Sequence, residues 1–186
     1  MIMSNPLVRY TTPNAIDGNL AREYNREMEL SPKGSYMCFT DRDVWFPNSD
    51  YAKQIHEIIS IYGEAFYTCV TPRINCKWQK IDFVGTDDAL VEYSKNYAIG
   101  KETTVENQTH SQLWSGMVMV VPKDKWIPLN ESSKSILGLD NLIHKMAIIQ
   151  GCDVLLMKGV ICYHYYSGYD GPAGTGNKSR DKSHLK

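Results

Sequence analysis

Short apolar segments alternate with amphipathic segments along most of this chain, and this alternation restricts the possible folds more than any other feature. Strands are predicted at residues 7–11, 35–40, 65–70, 117–121, 154–157 and 160–163. The spacing of apolar residues predicts helices at residues 19–30, between Asp50 and Gly63, at 87–97 and at 139–150. Strands that alternate with helices indicate an α/β protein, with a mostly parallel central sheet and flanking helices.

Two stretches give weaker signals. In the first, residues 81–84 could form a further strand, while the polar residues 100–112 are predicted to be a surface loop. In the second, the chain from Gly168 onward is rich in Gly, Ser, Lys and Asp, which leaves little apolar surface to bury. We therefore expect one folded domain over residues 1–167 and a flexible C-terminal tail over residues 168–186.

The charge balance and hydropathy exclude some partners. The formal net charge of -1 provides no general attraction to nucleic acid or to an anionic membrane. No apolar run approaches the ~20 residues that a helix needs to span a bilayer. The first residues lack the charged and apolar regions of a signal peptide. We expect no nucleic-acid partner and no transmembrane segment.

The cysteines indicate a reducing compartment. They are odd in number and include no CxxC pair, and most lie in or beside apolar runs, where a free thiol behaves as a small core residue. The five are Cys38, Cys69, Cys76, Cys152 and Cys162. We predict reduced thiols in a cytoplasmic protein.

An acidic pair, Asp41 and Asp43, directly follows the apolar segment 36–40. Alternate residues of an extended segment point to the same side, so the two carboxylates repel each other unless a cation lies near them. Oxygen ligands suit Mg²⁺ or Mn²⁺, which also bind phosphate oxygens. The alternative is a pair of solvated loop acids. Asp87 and Asp88 form a second acidic pair, which the start of a helix explains without a metal.

Four segments together resemble GT-A glycosyltransferases, especially small family-2-like enzymes of bacteria and phages. They are residues 21–25 leading into 36–43, residues 114–122, residues 136–141 and residues 157–166. The resemblance implies a GT-A-like catalytic domain over residues 1–167. The segment between the first strand and the acidic pair is about half as long as is usual, so the domain looks shortened at its N-terminus and its base-binding part looks reduced.

The resemblance also implies a metal site and a donor site. Asp43 and His164 would bind Mn²⁺ or Mg²⁺, and Asp41 would assist at the metal and contact the ribose or the sugar. Trp114, Ser115, Gly116 and Asn141 would line the donor site, with Trp114 stacked on a pyranose and Gly116 admitting the sugar close to the backbone. The alternatives are a packed tryptophan, a glycine that simply starts a strand and a structural histidine.

Asp140 opens a predicted helix and lies in the segment that resembles the family's catalytic loop. It would act as the base that deprotonates the acceptor hydroxyl. Alternatively, its side chain would cap the helix N-terminus. His144, off the apolar stripe of the same helix, is predicted to be a surface residue.

The resemblance implies transfer of a sugar from a UDP- or GDP-linked donor to a glycan or other hydroxyl acceptor, with inversion. The sequence does not decide whether a homo-oligomer supplies the reduced part of the pocket for the nucleotide base. Two other functions are considered. One is a phosphatase of the haloacid-dehalogenase type, with Asp41 as nucleophile and with Lys53 and the pair Asp87 and Asp88 as candidate partners. The other is a sugar-nucleotide-binding protein without catalysis.

Overall fold

The computed structural model describes residues 6–14, 18–72, 74, 76–132 and 138–165. Within these residues a six-stranded sheet forms the centre of the molecule, and a two-stranded ribbon lies beside it. The central strands are β1 Val8–Thr11, β2 Tyr36–Thr40, β4 Phe66–Val70, β5 Val105–Asn107, β6 Val118–Pro122 and β7 Val154–Ile161. The ribbon consists of β3 Val44–Trp45 and β8 Tyr163–His164. The predicted tail at 168–186 lies outside the described residues.

The central sheet is mixed, and its strand order is β1-β2-β6-β4-β7-β5. The β1–β2 and β4–β7 pairs are parallel, whereas β6 runs antiparallel to both β2 and β4, and β5 antiparallel to β7. The prediction of an α/β fold with a central sheet is confirmed. The prediction of a mostly parallel sheet is wrong, because three of the five pairs of neighbouring strands are antiparallel. β6 is inserted between β2 and β4, which run in the same direction, and lies antiparallel to both, so the order of the strands along the chain does not set the direction of neighbouring strands.

Four α-helices flank the sheet within the described residues: α1 Leu20–Glu29, α2 Tyr51–Tyr62, α3 Asp87–Ala98 and α4 Leu139–Ile149. Local chemistry explains their ends. The Asn19 side chain accepts a hydrogen bond from the Arg22 N–H at the start of α1, and Thr86 does the same for Ala89 at the start of α3. Gly63 follows α2 with a φ of 73°, a conformation that glycine adopts without steric cost.

The two faces of the sheet have separate hydrophobic cores, because successive strand residues point to opposite sides. In β2, Cys38 packs on the face covered by α2, whereas Met37 and Phe39 pack on the face covered by α1 and α4. All five cysteines are buried, as predicted for core residues. Both α1 and α4 therefore lie on one side of the sheet.

Three segments differ from the sequence prediction. Residues 81–84 form no strand, and Val84 is 90% exposed; only an isolated bridge joins Thr71 to Lys80. The short strand β5 lies inside the predicted loop 100–112, where it pairs with β7. The two strands predicted around Lys158 and Gly159 are a single strand with an irregularity at this point, since Cys69 pairs with Met157 but Val70 with Ile161.

No helix in the described part of the chain combines the length and the apolar character needed to cross a membrane.

Candidate metal centre

The acidic pair lies where β2 leaves the sheet. The Asp41 N–H donates to the Met117 carbonyl at 3.0 Å, which anchors the end of β2 to the start of β6. The Val44 N–H then donates back to the Asp41 carbonyl at 3.2 Å, so residues 41–44 form a tight turn. This turn leads directly into β3.

The ribbon of β3 and β8 brings the late histidine to the acidic pair. Val44 pairs with His164 and Trp45 with Tyr163, and the Tyr165 N–H donates to the Asp43 carbonyl at 2.9 Å. As a result, the His164 Nε2 atom lies 3.0 Å from Asp43 Oδ1 and 3.7 Å from Asp41 Oδ2. The structure therefore brings together the three residues predicted as metal ligands.

The geometry of this cluster fits a divalent cation. One ligand atom from each of Asp41, Asp43 and His164 lies within 4.8 Å of the other two. Octahedral ligands about 2.1 Å from an ion such as Mg²⁺ lie roughly 3 Å from their neighbours, which the Asp43–His164 separation of 3.0 Å matches and the Asp41–His164 separation of 3.7 Å exceeds. The Asp41 side chain is 43% exposed, that of Asp43 19% and that of His164 10%, so the cluster is open to solvent mainly on the Asp41 side.

The ionised form of the Asp41 carboxylate is disfavoured at its position in the cluster. Burial, followed by the charges of Asp43 and Asp140, raises the pKa of Asp41 to about 6, although His164 acts in the opposite direction. A raised pKa means that the ionised carboxylate is disfavoured where it stands. A bound cation would remove that penalty, which is the electrostatic setting expected of an acidic metal site.

Asp140 faces the same region from α4. It is the second residue of that helix, which begins after Gly138. Its Oδ2 accepts a hydrogen bond from the Gly116 N–H at 3.1 Å and its Oδ1 accepts one from the Asn141 N–H at 2.9 Å. The alternative that Asp140 is the N-cap is wrong, because Gly138 occupies that position.

Tyr24 of α1 lies within electrostatic range of the acidic residues, a feature that the sequence interpretation missed. Burial raises the pKa of its hydroxyl, and the charges of Asp41 and Asp140 raise it further. The ring packs against Phe39, with 4.6 Å between ring centroids. Both carboxylates therefore lie within electrostatic reach of one phenol, and this phenol remains protonated.

Gly116 is a glycine for a reason other than the predicted one. A Cβ atom at this position would lie 2.3 Å from the Cβ of Asp140. The absent side chain thus admits Asp140 to the start of β6, and the space predicted for a sugar is filled by the aspartate.

Trp114 also differs from the prediction. It is 1% exposed, and its indole N–H donates to the Asp140 carbonyl at 2.7 Å. Its ring has no open face for a pyranose, so the stacking role is not supported and the packed alternative holds. Ser115 and Asn141 lie beside Asp140 and are half-buried; their roles in donor binding stay predictions.

His144 was predicted to be a surface residue, and this is wrong because it is completely buried. Its Nδ1 atom accepts a hydrogen bond from the Trp114 N–H at 3.0 Å. The available signal was its spacing, since it follows Asp140 by four residues and so lies on the same face of α4.

The second acidic pair lies in the first turn of α3, as its helix-start interpretation predicted. Asp87 has an additional contact, because its Oδ2 accepts a hydrogen bond from the Tyr165 hydroxyl at 3.0 Å. Tyr165 follows His164 directly, so this bond ties the end of the metal-centre ribbon to α3.

The chain matches no protein-family model and no curated protein sequence. Support for a function therefore comes from the arrangement of the residues themselves.

Proposed function

We propose that this protein is a metal-dependent glycosyltransferase of the GT-A type, which moves a sugar from a nucleoside-diphosphate sugar to an acceptor hydroxyl. One observation carries the proposal: the acidic pair Asp41 and Asp43 meets the distant His164 at the end of β2, with ligand atoms within 4.8 Å of one another. Asp140 lies close enough to raise the pKa of Asp41. Such a site combines a place for a cation with a candidate base.

Asp43 and His164, assisted by Asp41, would hold the cation. When bound, the ion offsets the negative charge that develops on the departing diphosphate. The imidazole in the ligand set favours Mn²⁺ over Mg²⁺, because Mg²⁺ prefers oxygen ligands alone. We therefore propose Mn²⁺ as the better cofactor of the two.

Asp140 would act as the general base. Its hydrogen bonds from the Gly116 and Asn141 N–H groups fix the plane of the carboxylate. Each carboxylate oxygen has a second lone pair, so Asp140 can still accept the proton of an acceptor hydroxyl. Attack of that hydroxyl on the face opposite the leaving diphosphate gives inversion at the anomeric carbon.

The test is turnover of UDP- and GDP-sugars in the presence of Mn²⁺, followed as release of the nucleoside diphosphate. We expect Asp43→Ala to lower kcat/KM at least ~100-fold, because it removes charge stabilisation of the leaving group. Asp88→Ala is the matched control, an exposed acid in the first turn of α3, and should leave turnover unchanged. Equal turnover by wild type and Asp43→Ala would contradict the proposal.

The same assay separates the alternatives. A phosphatase would need a lysine near Asp41, but the Lys53 side chain is 76% exposed and lies 3.9 Å from Glu57 of its own helix. Phosphate release from a phosphomonoester would nevertheless favour the phosphatase. Donor binding that raises Tm without either reaction would favour a sugar-nucleotide-binding protein.

A further inference from the structure

Three consecutive backbone N–H groups at the start of β6 each donate to a different side chain. The Trp114 N–H donates to His144 Nδ1 at 3.0 Å, the Ser115 N–H to Gln79 Oε1 at 2.7 Å and the Gly116 N–H to Asp140 Oδ2 at 3.1 Å. Residues 114–116 are called the amide turn below. Two of its three acceptors, His144 and Asp140, belong to α4 and lie one helical turn apart.

The amide turn is also bonded to α4 in the reverse direction. The Trp114 indole N–H donates to the Asp140 carbonyl at 2.7 Å. The Trp114 and His144 rings pack edge to face, with centroids 5.4 Å apart and planes at 74°. Together with the bond from Gly116, these contacts attach the first two turns of α4 to the amide turn at three points.

His144 has only one of its two nitrogens in a hydrogen bond of normal geometry. Because Nδ1 accepts from Trp114, the neutral ring carries its proton on Nε2, which is buried and has no such bond among the described residues. Burial lowers the pKa of His144, with a smaller opposing effect from the Thr109 backbone, so the ring is uncharged near neutral pH. The uncharged ring therefore leaves Nδ1 free to accept the Trp114 N–H.

We infer that His144 is a positioning residue for Asp140, which it holds against the metal centre by accepting the Trp114 N–H and so fixing the amide turn to α4. This inference rests on the proposed role of Asp140 as the base. His144 itself touches no reacting atom.

The physical argument concerns what the loss of this acceptor would do. The Trp114 N–H is buried, and an unsatisfied buried donor drives local rearrangement until it finds water or another acceptor. The Gly116 N–H, two residues along, is bonded to the Asp140 carboxylate, so the carboxylate would move with the turn. A shift of ~1 Å in a catalytic group can cost ~100-fold in rate.

The test compares His144→Leu, which removes the acceptor, with His144→Asn, whose amide oxygen lies at the same distance along the side chain as Nδ1. For the best UDP- or GDP-sugar at saturating Mn²⁺, we expect His144→Leu to lower kcat ~100-fold and to change KM less than ~2-fold. His144→Asn should recover kcat to within ~10-fold of wild type. His110→Leu, at an exposed histidine, is the control and should match wild type. Equal losses in the Leu and Asn variants would overturn the inference.

A second readout does not depend on activity. Amide hydrogen exchange of Ser115 and Gly116 should be at least ~10-fold faster in His144→Leu than in wild type and unchanged in His144→Asn. If wild type turns over no donor, the proposed function fails, and exchange still decides whether His144 holds the amide turn. Unchanged exchange in His144→Leu would overturn the inference.

Should His144→Leu fail to fold, Trp114→Phe replaces it in both measurements. This change keeps an aromatic ring, removes the indole N–H that bonds the Asp140 carbonyl and leaves the backbone N–H in place, at the cost of some buried ring volume. We expect the same loss of kcat with little change in KM, together with faster exchange at Gly116. Wild-type kcat and wild-type exchange in Trp114→Phe would show that attachment of the amide turn to α4 does not position Asp140, which would overturn the inference.

Discussion

Asp41 occupies a position in the site at which its negative charge is disfavoured. Its carboxylate lies near Asp43 and Asp140, and of the charged groups that act on it within the described residues His164 alone favours the ionised form. Its raised pKa of about 6 means that the folded protein binds this proton more tightly than the unfolded chain does. Without metal, ionisation of Asp41 therefore destabilises the fold as the pH rises from about 4 through 6.

This charge balance predicts a pH dependence of metal binding. Because Mn²⁺ must displace the Asp41 proton, its affinity should be constant above pH 7 and should fall below pH 6 by up to ~10-fold per pH unit. Isothermal titration between pH 5 and 8 measures this. In Asp41→Asn the affinity should be weaker at pH 7.5 and the step near pH 6 should be smaller. A wild-type affinity that does not change from pH 5 to 8 would contradict the role of Asp41.

Without metal, the same substitution should not weaken the fold at pH 7.5. Asp41→Asn removes an ionised carboxylate that burial disfavours, although its 43% exposure limits the effect through solvent screening. We expect Tm to stay equal or to rise by up to ~2 °C. A fall of several degrees in chelated protein, measured by calorimetry, would show that Asp41 has a structural role instead.

Gly116 gives a further prediction for a single residue. Gly116→Ala places a Cβ atom 2.3 Å from the Asp140 Cβ, so either α4 or the amide turn must move. We expect a loss of ~1–3 kcal/mol in the free energy of unfolding and a large loss of sugar transfer. Gly100→Ala is the control, because its φ of +71° strains the backbone while its Cβ would meet nothing within 4 Å. It should destabilise by ~1–2 kcal/mol and leave transfer intact. Full transfer in Gly116→Ala would contradict the close packing of Asp140.

Helices and strands with a strong local sequence pattern were predicted well. Strands that form only because a neighbouring strand offers hydrogen bonds were not. The helix α1 has an apolar stripe and an Asn19 cap, and β2 is a continuous apolar run; both were predicted within two residues of their ends. The strand β5 has one half-buried apolar residue, Val105, and exists because β7 offers it an edge. Such a strand depends on a partner distant in sequence and leaves no local pattern.

Gly159 shows why β7 was predicted as two strands. It interrupts the apolar pattern, but the strand continues through it because the loop at Lys101 and Glu102 packs against its backbone. A Cβ atom at Gly159 would lie 2.5 Å from the Lys101 carbonyl oxygen. In this case a glycine inside a strand marks a close approach of another segment and not the end of the strand.

This packing predicts that Gly159→Ala lowers the free energy of unfolding by ~1–3 kcal/mol, because backbone atoms cannot yield as a flexible side chain would. Denaturant unfolding measures the change. Lys158→Ala is the control in the same strand; it removes a 2.8 Å ion pair with the 53%-exposed Glu106, which should cost less than ~1 kcal/mol. Equal stability of Gly159→Ala and wild type would show that the loop does not pack there.

For the whole molecule, the ligands of the candidate site could be predicted but the contacts behind them could not. Asp41 and Asp43 follow a recognisable strand, and His164 was predicted as a ligand because residues 157–166 resemble the late strand of GT-A glycosyltransferases. The partners Gly116 and Trp114 of Asp140 were missed because they become its neighbours only when β6 lies between β2 and β4. That insertion breaks the parallel order, and no local pattern in the chain encodes it.

The central claim, that this cluster holds a divalent cation, is tested most directly by Mn²⁺ titration of wild type and His164→Ala, followed by calorimetry or by the Mn²⁺ paramagnetic resonance signal. His110→Ala at an exposed loop position is the matched control. We predict one Mn²⁺ per chain in wild type and His110→Ala, and at least ~10-fold weaker binding in His164→Ala because it loses the imidazole ligand. Equal Mn²⁺ affinity in all three proteins, or no binding to wild type even with UDP or GDP present, would contradict it.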